Sequence, residues 1–546
     1  MIPHDSRVNG QTREEYDAAL DAGDLDENRS QHQRGSNEAE YGRKRIGQVE
    51  MPKDIQDAIR AVTGEHDKSL IRTDALRLYG SLRSTGALED DASMEAPTKR
   101  DMRSKDDKPI PAHILEYGHR ESIAYIAAMA STTYSAIKNV LEEVNRRVPD
   151  LQPRTFLDFG TGPGTAIWAA NEVWETPLKY TGIDASLAML ETAEEILEVM
   201  SSRGAPISNV TLKPFMSHGS QDAKHDVVMS AFALSELTTP ALRKSTLEHL
   251  WDSTNDMLIL IDRGTPSGFK ILAEAREQIL GLDADRFKVK PKYDAYGNQL
   301  PEEEPQAREP AHVLAPCPHD KICPIYASLS RETQWCHFSQ KVQRPDFLRK
   351  TKHSKENFED SKYTYVVLRK GARPKKYQKL PPPPPVTYDN VEDIFAASHD
   401  WSRIVVPPLK KDGHVVIDTC AANGYLERII IPKSQGKIPY RDARKAMWGD
   451  LFPHAPKNKP VRKDAVKNML DGGNGNETEE GGNGEGREKI SKRRPLGISS
   501  EMLLKRAKQK EKKQSRQKIS LDEINGTKSN RKGKKGVSGD DIILDL

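Results

Sequence analysis

Cys317, Cys323, Cys336 and Cys420 are the only thiols in a chain of 546 residues. Three of them share one stretch, Ala315 to Arg344, with spacing C-x5-C-x12-C, and the first two are each followed by proline. So few thiols in so long a chain do not make a disulfide scaffold, and a reducing compartment follows. Their clustering suits metal ligation instead, and Cys420 completes a four-thiolate set if the C-terminal strands fold back. Zinc knuckles use C-x2-4-C pairs, and neither gap here is that short. Wider gaps beside prolines favour an iron–sulfur cluster, whose larger core needs ligands spread farther apart. Zinc held by three cysteines and either His319 or His337 stays open.

The second chemical stretch is TFLDFGTGPGTAIWAA, from Thr155 to Ala170. It reads as a buried strand ending at Phe159, a turn through Gly160, Gly162 and Gly164, and a helix over Thr165 to Trp174. A strand that turns through glycines into a helix brings backbone N–H groups and the helix N-terminus up to a ligand. The dinucleotide fingerprint is G-x-G-x-x-G. Here the order is G-x-G-x-G, Thr165 stands where the third glycine would fall, and Asp158 precedes the first. That pattern resembles motif I of the class I S-adenosylmethionine-dependent methyltransferases more closely than a NAD site. Asp184 lies about twenty residues on, where a carboxylate accepts hydrogen bonds from ribose hydroxyls. Helix capping by Asp184 or Ser186 is the blander reading.

The elements that must hold these residues alternate in type. Leu178–Ile183, Val210–Leu212, Asp226–Ala231 and Met257–Ile261 read as strands, with helices over Ser186–Met200 and around Leu242–Trp251. Such alternation predicts an α/β fold with a parallel, Rossmann-like sheet and a ligand at the carboxyl ends of its strands. Ile110 to Val148 has helical periodicity, closed by Pro149 and Pro153, and reads as a brace on the sheet edge. Tyr363–Leu368 reads as a returning strand. Trp401–Val406, His414–Thr419 and Tyr425–Ile431 form a small β-rich appendage, with a hairpin signal at Asn423-Gly424.

The organisation this predicts has seven parts. Residues 1–50 form a disordered acidic N-terminus, 51–150 a helical region, and 151–280 the methyltransferase-like core. Residues 281–362 are a cysteine-rich metal insertion with a basic segment, and 363–380 return a strand to the core. Residues 381–455 hold a proline linker (Leu380 to Val386) and the appendage, and 456–546 a disordered basic tail.

Charged residues make up 30% of the chain and hydrophobic ones 36%, with mean hydropathy −0.73, and no apolar run reaches a membrane span. The net charge of +3 conceals local excess. Lys341 to Lys379 is strongly basic and interleaved with Phe347, Phe358, Tyr363 and Tyr365, a pattern suited to a phosphate backbone. Together with the tail it points to RNA. The N-terminus lacks a hydrophobic signal region and is too acidic for a typical mitochondrial presequence.

LDFGTGPGTAIWAA, the APCPHD-x2-CP run, WCHFSQ and the late Cys420 together resemble the methyltransferase-like protein family of the mitochondrial small ribosomal subunit. In fungi this is a small-subunit protein and in animals an assembly factor. The resemblance spans about Ile110 to Pro453. It implies a 4Fe-4S cluster on Cys317, Cys323, Cys336 and Cys420, and S-adenosylmethionine at Asp158, Gly160, Gly162, Gly164 and Asp184. It also implies binding to small-subunit ribosomal RNA and small-subunit proteins in the mitochondrial matrix, through a presequence removed before this numbering or an atypical one. No homo-oligomer is implied.

Catalysis does not follow from these motifs. Base N-methyltransferases carry Asn/Asp-Pro-Pro-aromatic at the end of the fourth strand, where this chain has Ser230-Ala231-Phe232-Ala233-Leu234-Ser235-Glu236. A cytosine C5 enzyme needs a cysteine nucleophile, and all four thiols are better assigned to metal. Glu236 is a conceivable base, but a carboxylate at a helix start is the simpler reading. No catalytic residue is assigned. An active ribosomal RNA methyltransferase is the rival to an RNA-binding assembly factor, and a NAD-dependent oxidoreductase is disfavoured by Thr165.

Overall fold

The computed structural model describes residues 7–8, 11–12, 35–84, 116–174, 178–216, 224–282, 310–327, 334–352, 355–374 and 391–463. The charged Gly281–Arg308 interruption, from residue 283 on, lies outside them, as do the proline run, residues 464–546 of the expected basic tail and most of the acidic N-terminus.

The alternating pattern folds as an α/β sheet. Strands β1 (Thr155–Phe159), β2 (Lys179–Ile183), β3 (Val210–Lys213), β4 (His225–Ala231) and β5 (Thr254–Arg263) are parallel. They are joined by β6 (Ala311–Ala315), β7 (Phe338–Gln343) and β8 (Phe358–Lys370). The order is β3-β2-β1-β4-β5-β8-β6, with β8 antiparallel to β5 and β6. Five parallel strands in that order, closed by an antiparallel strand, are the arrangement expected of a class I methyltransferase-like sheet. The returning strand is longer than the sequence suggested because its first half, Phe358 to Tyr363, pairs with β7.

Both faces of the sheet are covered, so neighbouring residues on one strand enter different cores. Phe156, Val227 and Ile259 join one apolar cluster, and Leu157, Val228 and Leu258 join the other. The first cluster is roofed by α1 (His119–Ala128) and α2 (Ala130–Arg147), which replace the one helix expected over Ile110–Val148. The opposite face is covered partly by α3 (Pro266–Ile279), which buries Ile271, Leu272 and Ala275.

Residues 402–462 form a second, antiparallel sheet. Its strands are β9 (Ser402–Ile404), β10 (Leu409–Lys410), β11 (His414–Cys420), β12 (Leu426–Pro432), β13 (Leu451–Phe452) and β14 (Val461–Arg462), in the order β13-β9-β11-β12-β14 with β10 on β11. Gly424, at φ 84°, turns the β11–β12 hairpin at the Asn-Gly pair.

Residues 35–50 correct the expectation of a structureless N-terminus. Ser36 caps a short helix, Asn37–Tyr41, and donates from Oγ to Asp442 at 2.8 Å. Val49 bridges to Val342 beside β7, and Leu451 N–H donates to the Gly42 carbonyl at 2.8 Å. The physical reason is Lys44. Its buried ammonium reaches Asn139 at 2.8 Å and Glu143 at 2.7 Å, partners that composition alone does not reveal. Among the described residues no helix is long and apolar enough to cross a membrane.

Candidate functional site

Strand β1 delivers the chain into a turn in which Gly160, Gly162 and Gly164 have φ of 74°, 52° and 96°. A Cβ at position 160 would lie 2.3 Å from that of Ala233, so the turn approaches the loop after β4 as closely as only glycine permits. The Gly160 and Thr161 N–H groups donate to the Ile183 carbonyl at 2.8 and 2.9 Å. Asp184, just beyond β2, accepts from Gly162 N–H at 2.8 Å and Ser186 N–H at 2.9 Å. One carboxylate thus ties two strand ends together and keeps lone pairs for a ligand.

These groups open onto a cavity of about 760 Å³, a size suited to a cofactor. Gly160, Gly162 and Asp184 line it, together with Tyr117, Phe232 and Glu236. Asp158 and Gly164, expected with them, stand behind the turn. Asp158 is 1% exposed and accepts from Thr161 Oγ1 at 2.7 Å, while Gly164 leaves room for the Trp168 indole. Burial pushes the Asp158 carboxyl up to about 7; the Thr161 hydrogen bond opposes this and the charge of Asp184 adds to it. Burial also raises Asp184, against its two backbone donors.

The side of the cavity facing the glycine turn is internally paired. Phe232 turns the chain out of β4 with φ 63°, an uncommon value for a bulky residue. Glu236 then accepts from Arg263 Nη2 at 2.9 Å and the Tyr117 hydroxyl at 3.2 Å. Burial raises its carboxyl, with Arg263 the main opposing influence. Tyr117 also accepts from Ser186 Oγ through its carbonyl at 2.7 Å, so it bridges two sides of the cavity. Nothing in its polar surroundings marked it in the sequence.

The four cysteines converge on another cavity. Cys317 follows β6, Cys323 begins the short helix at Pro324–Ala327, Cys336 precedes β7, and Cys420 ends β11. All four line one hollow, with Arg276 of α3 and Arg403 of β9 also in its wall. Among the described residues, however, no three His, Cys, Asp or Glu side chains are arranged to hold a metal ion as they stand. Burial, reinforced by the charge of Cys317, pushes Cys323 up to about 11 and Cys336 and Cys420 well above the usual thiol range. Four thiolates cannot share such a space without positive charge. Arg276 is 2% exposed, and its Nε and Nη1 have no hydrogen-bond partner while Nη2 donates to the His319 carbonyl at 2.8 Å. Soft donors beside a cation with spare N–H groups fit an anionic thiolate-ligated cluster.

The two histidines considered as substitute ligands part company. His319 Nε2 lies 3.2 Å from Cys420 Sγ, whereas His337 stacks on Trp335 outside the thiol hollow.

Arg403 joins this hollow to the rest of the fold. Its guanidinium donates to the Pro316 carbonyl at 3.0 Å, to Gly449 at 2.7 Å and to Glu143 of α2 at 2.5 Å. Burial alone would raise the Glu143 carboxyl, but Arg403, Lys44 and Arg147 hold it well below its ordinary range. Sequence reading missed Glu143 and Arg403, because a charge in a helical or strand pattern looks like a solvated one.

Part of the basic segment from Lys341 to Lys379 is spent inside the fold, and its residues 353–354 and 375–379 lie outside the described residues. Arg344 and Lys352 pair with Glu359, Arg369 with Asp256, and Arg373 with Asp320. Tyr363 and Tyr365 are core residues whose hydroxyls donate to Asn139 at 2.5 Å and Glu143 at 2.6 Å, so neither can stack on a base.

Residues 119–453 match the family model described as mitochondrial small ribosomal subunit Rsm22. A Homo sapiens protein named ribosome assembly protein METTL17, mitochondrial, is 32% identical over 342 residues, 62% of this chain and 64% of its own. The Schizosaccharomyces pombe Rsm22-cox11 tandem protein 2, mitochondrial, is 31% identical over 378 residues, 65% of this chain and 47% of its own. The Saccharomyces cerevisiae ribosome assembly protein RSM22, mitochondrial, is 26% identical over 432 residues, 61% of this chain and 67% of its own. The chain thus spans less than two thirds of the length of the human and fission yeast relatives.

Proposed function

The chain belongs to the Rsm22 family of the mitochondrial small ribosomal subunit, and from that premise we propose that it assists assembly of that subunit by binding its ribosomal RNA. It is a mitochondrial protein, and the matrix is its working compartment. The observation that carries the reading is the family match across residues 119–453, which includes both the glycine turn and all four cysteines. Small-subunit ribosomal RNA and neighbouring small-subunit proteins are its partners.

On this reading the glycine-turn cavity is a socket for S-adenosylmethionine. Gly160 and Gly162 bring backbone to the ligand, and Asp184 accepts from its ribose. Glu236 already receives Arg263 and Tyr117, which favours binding without methyl transfer over the rival reading of an active ribosomal RNA methyltransferase. Cys317, Cys323, Cys336 and Cys420 would hold a 4Fe-4S cluster, with zinc as the alternative on the same thiols. When bound, such a group cross-links four chain segments through metal–thiolate bonds and supplies the positive charge that their ionised sulfurs require. Arg276 offers its free N–H groups toward that centre, and Arg403 holds the strand that carries Cys420.

The test is depletion of the endogenous protein, with complementation by the wild-type chain or by Cys336→Ser. Assembled small subunit should fall on depletion, recover with wild type and stay low with the variant, while the large subunit persists. Normal small-subunit levels without the chain would overturn the assembly role. Iron, sulfide and zinc analysis of the anaerobically purified protein decides between the two metals.

A further inference from the structure

Next to the thiol hollow lies a second one, of about 170 Å³, that neither the cofactor socket nor the cysteine centre uses. Its walls include Trp335, His337 and Trp448, with aliphatic surface from Val405 and Leu426. Trp335 and His337 stack at 5.0 Å with their planes 21° apart, and Trp448 meets His337 edge-on at 4.5 Å and 85°. Trp335 is fixed by donation from its indole N–H to the Gly264 carbonyl at 2.9 Å. Aromatic walls over an aliphatic floor accept a flat ring, and Thr419, Glu427 and Lys463 also line the hollow, Lys463 paired with Asp418.

The surrounding charge says which molecule brings that ring. Residues 402–463 contain thirteen Lys and Arg against five Asp and Glu. Three of the five acids are spent inside the fold: Asp418 on Arg428 and Lys463, Asp442 on Ser36 and His454, and Asp450 on the Lys44 and Met447 N–H groups. Three of the cations are spent likewise, Arg428, Lys463 and the buried Arg403. Lys410, Lys411, Arg444, Lys445, Lys457 and Lys459 remain exposed. A polyanion carrying unstacked flat rings is single-stranded nucleic acid. Duplex RNA keeps its bases paired and has none to insert.

We propose that the Trp335–His337–Trp448 hollow binds an unpaired base of single-stranded RNA, whose phosphates follow the lysines of the appendage. This rests on the RNA-binding reading above and adds residues 402–463 to its surface. Two of the walls are chain neighbours of Cys336, and Thr419 precedes Cys420, so the base site and the thiol centre share their supporting loops.

Fluorescence anisotropy of the full chain with a labelled 12-nucleotide single strand and its duplex tests this. Trp448→Leu should weaken single-strand binding about tenfold without altering the salt slope, since the phosphate contacts remain. Trp448→Phe should retain binding, and duplex affinity should be equal in all three proteins. A wild-type single-strand affinity in a Trp448→Leu protein of unchanged melting temperature overturns the base site alone. Loss of binding by both variants with a lowered melting temperature assigns Trp448 to packing and also overturns it. Failure of the wild-type chain to bind either RNA overturns the RNA-binding reading with it.

Discussion

The cofactor socket and the thiol hollow are held together by different forces. In the glycine-turn socket the turn is tied by bonds between near neighbours, Asp158 to Thr161 and Gly162 to Asp184, while the Tyr117 hydroxyl and carbonyl reach across to Glu236 and Ser186. The thiol hollow draws on segments a hundred residues apart, and its wall is pinned by Arg403 to Glu143 across 260 positions. Most of the socket's bonds run from a backbone N–H or a hydroxyl to a single carboxylate or carbonyl, and each is worth about 1 kcal/mol. A hollow closed by long-range buried charges depends on each of them, because a partner left alone in the interior is a large penalty.

The strongest way to break this contrast is Glu143→Ala. It strips Arg403, Lys44 and Arg147 of their common carboxylate, and should cost about 3 to 5 kcal/mol. Chemical denaturation should show that loss, and limited proteolysis should release the appendage first. An unchanged midpoint would mean the hollow does not depend on that carboxylate.

Asp158→Asn sharpens the other half. The native carboxyl, pushed up to about 7, binds its proton in the folded state while the unfolded chain has released it above about 4. Stability should therefore fall as pH rises from about 4 to 7 and level off above, by about 2 to 4 kcal/mol for this group. Melting temperatures across that range should lose this slope in the variant. The smallest effect is expected from Ser186→Ala, which removes the helix cap on Met189 N–H and the bond to Tyr117. About 1 kcal/mol should be lost by denaturant titration, with the thiol hollow untouched.

The same contrast explains what the sequence disclosed. The glycine turn, Asp184 and the five parallel strands were legible because hydrophobic period and turn chemistry are local signals. The cysteines were legible as a set because thiols are so rare in this chain. Lys44, Glu143 and Arg403 were not, since only the tertiary fold distinguishes a buried charge from a solvated one. Tyr363 and Tyr365 misled for the same reason: beside lysines they look like stacking platforms, yet their rings lie in the core. Residues 35–50 were read as tail because their polar composition hid one buried lysine.

The Arg403–Glu143 pair also has a consequence in time. A chain folding from its N-terminal side completes α2 long before residue 403 exists or can arrive. In that interval Glu143 and the apolar surface beside it face solvent, and the Lys44 segment has only part of its seam to grip. The structure therefore closes late, when β9 and the Gly449–Leu451 segment dock. Only then does the one carboxylate that Lys44, Arg147 and Arg403 share become fully enclosed.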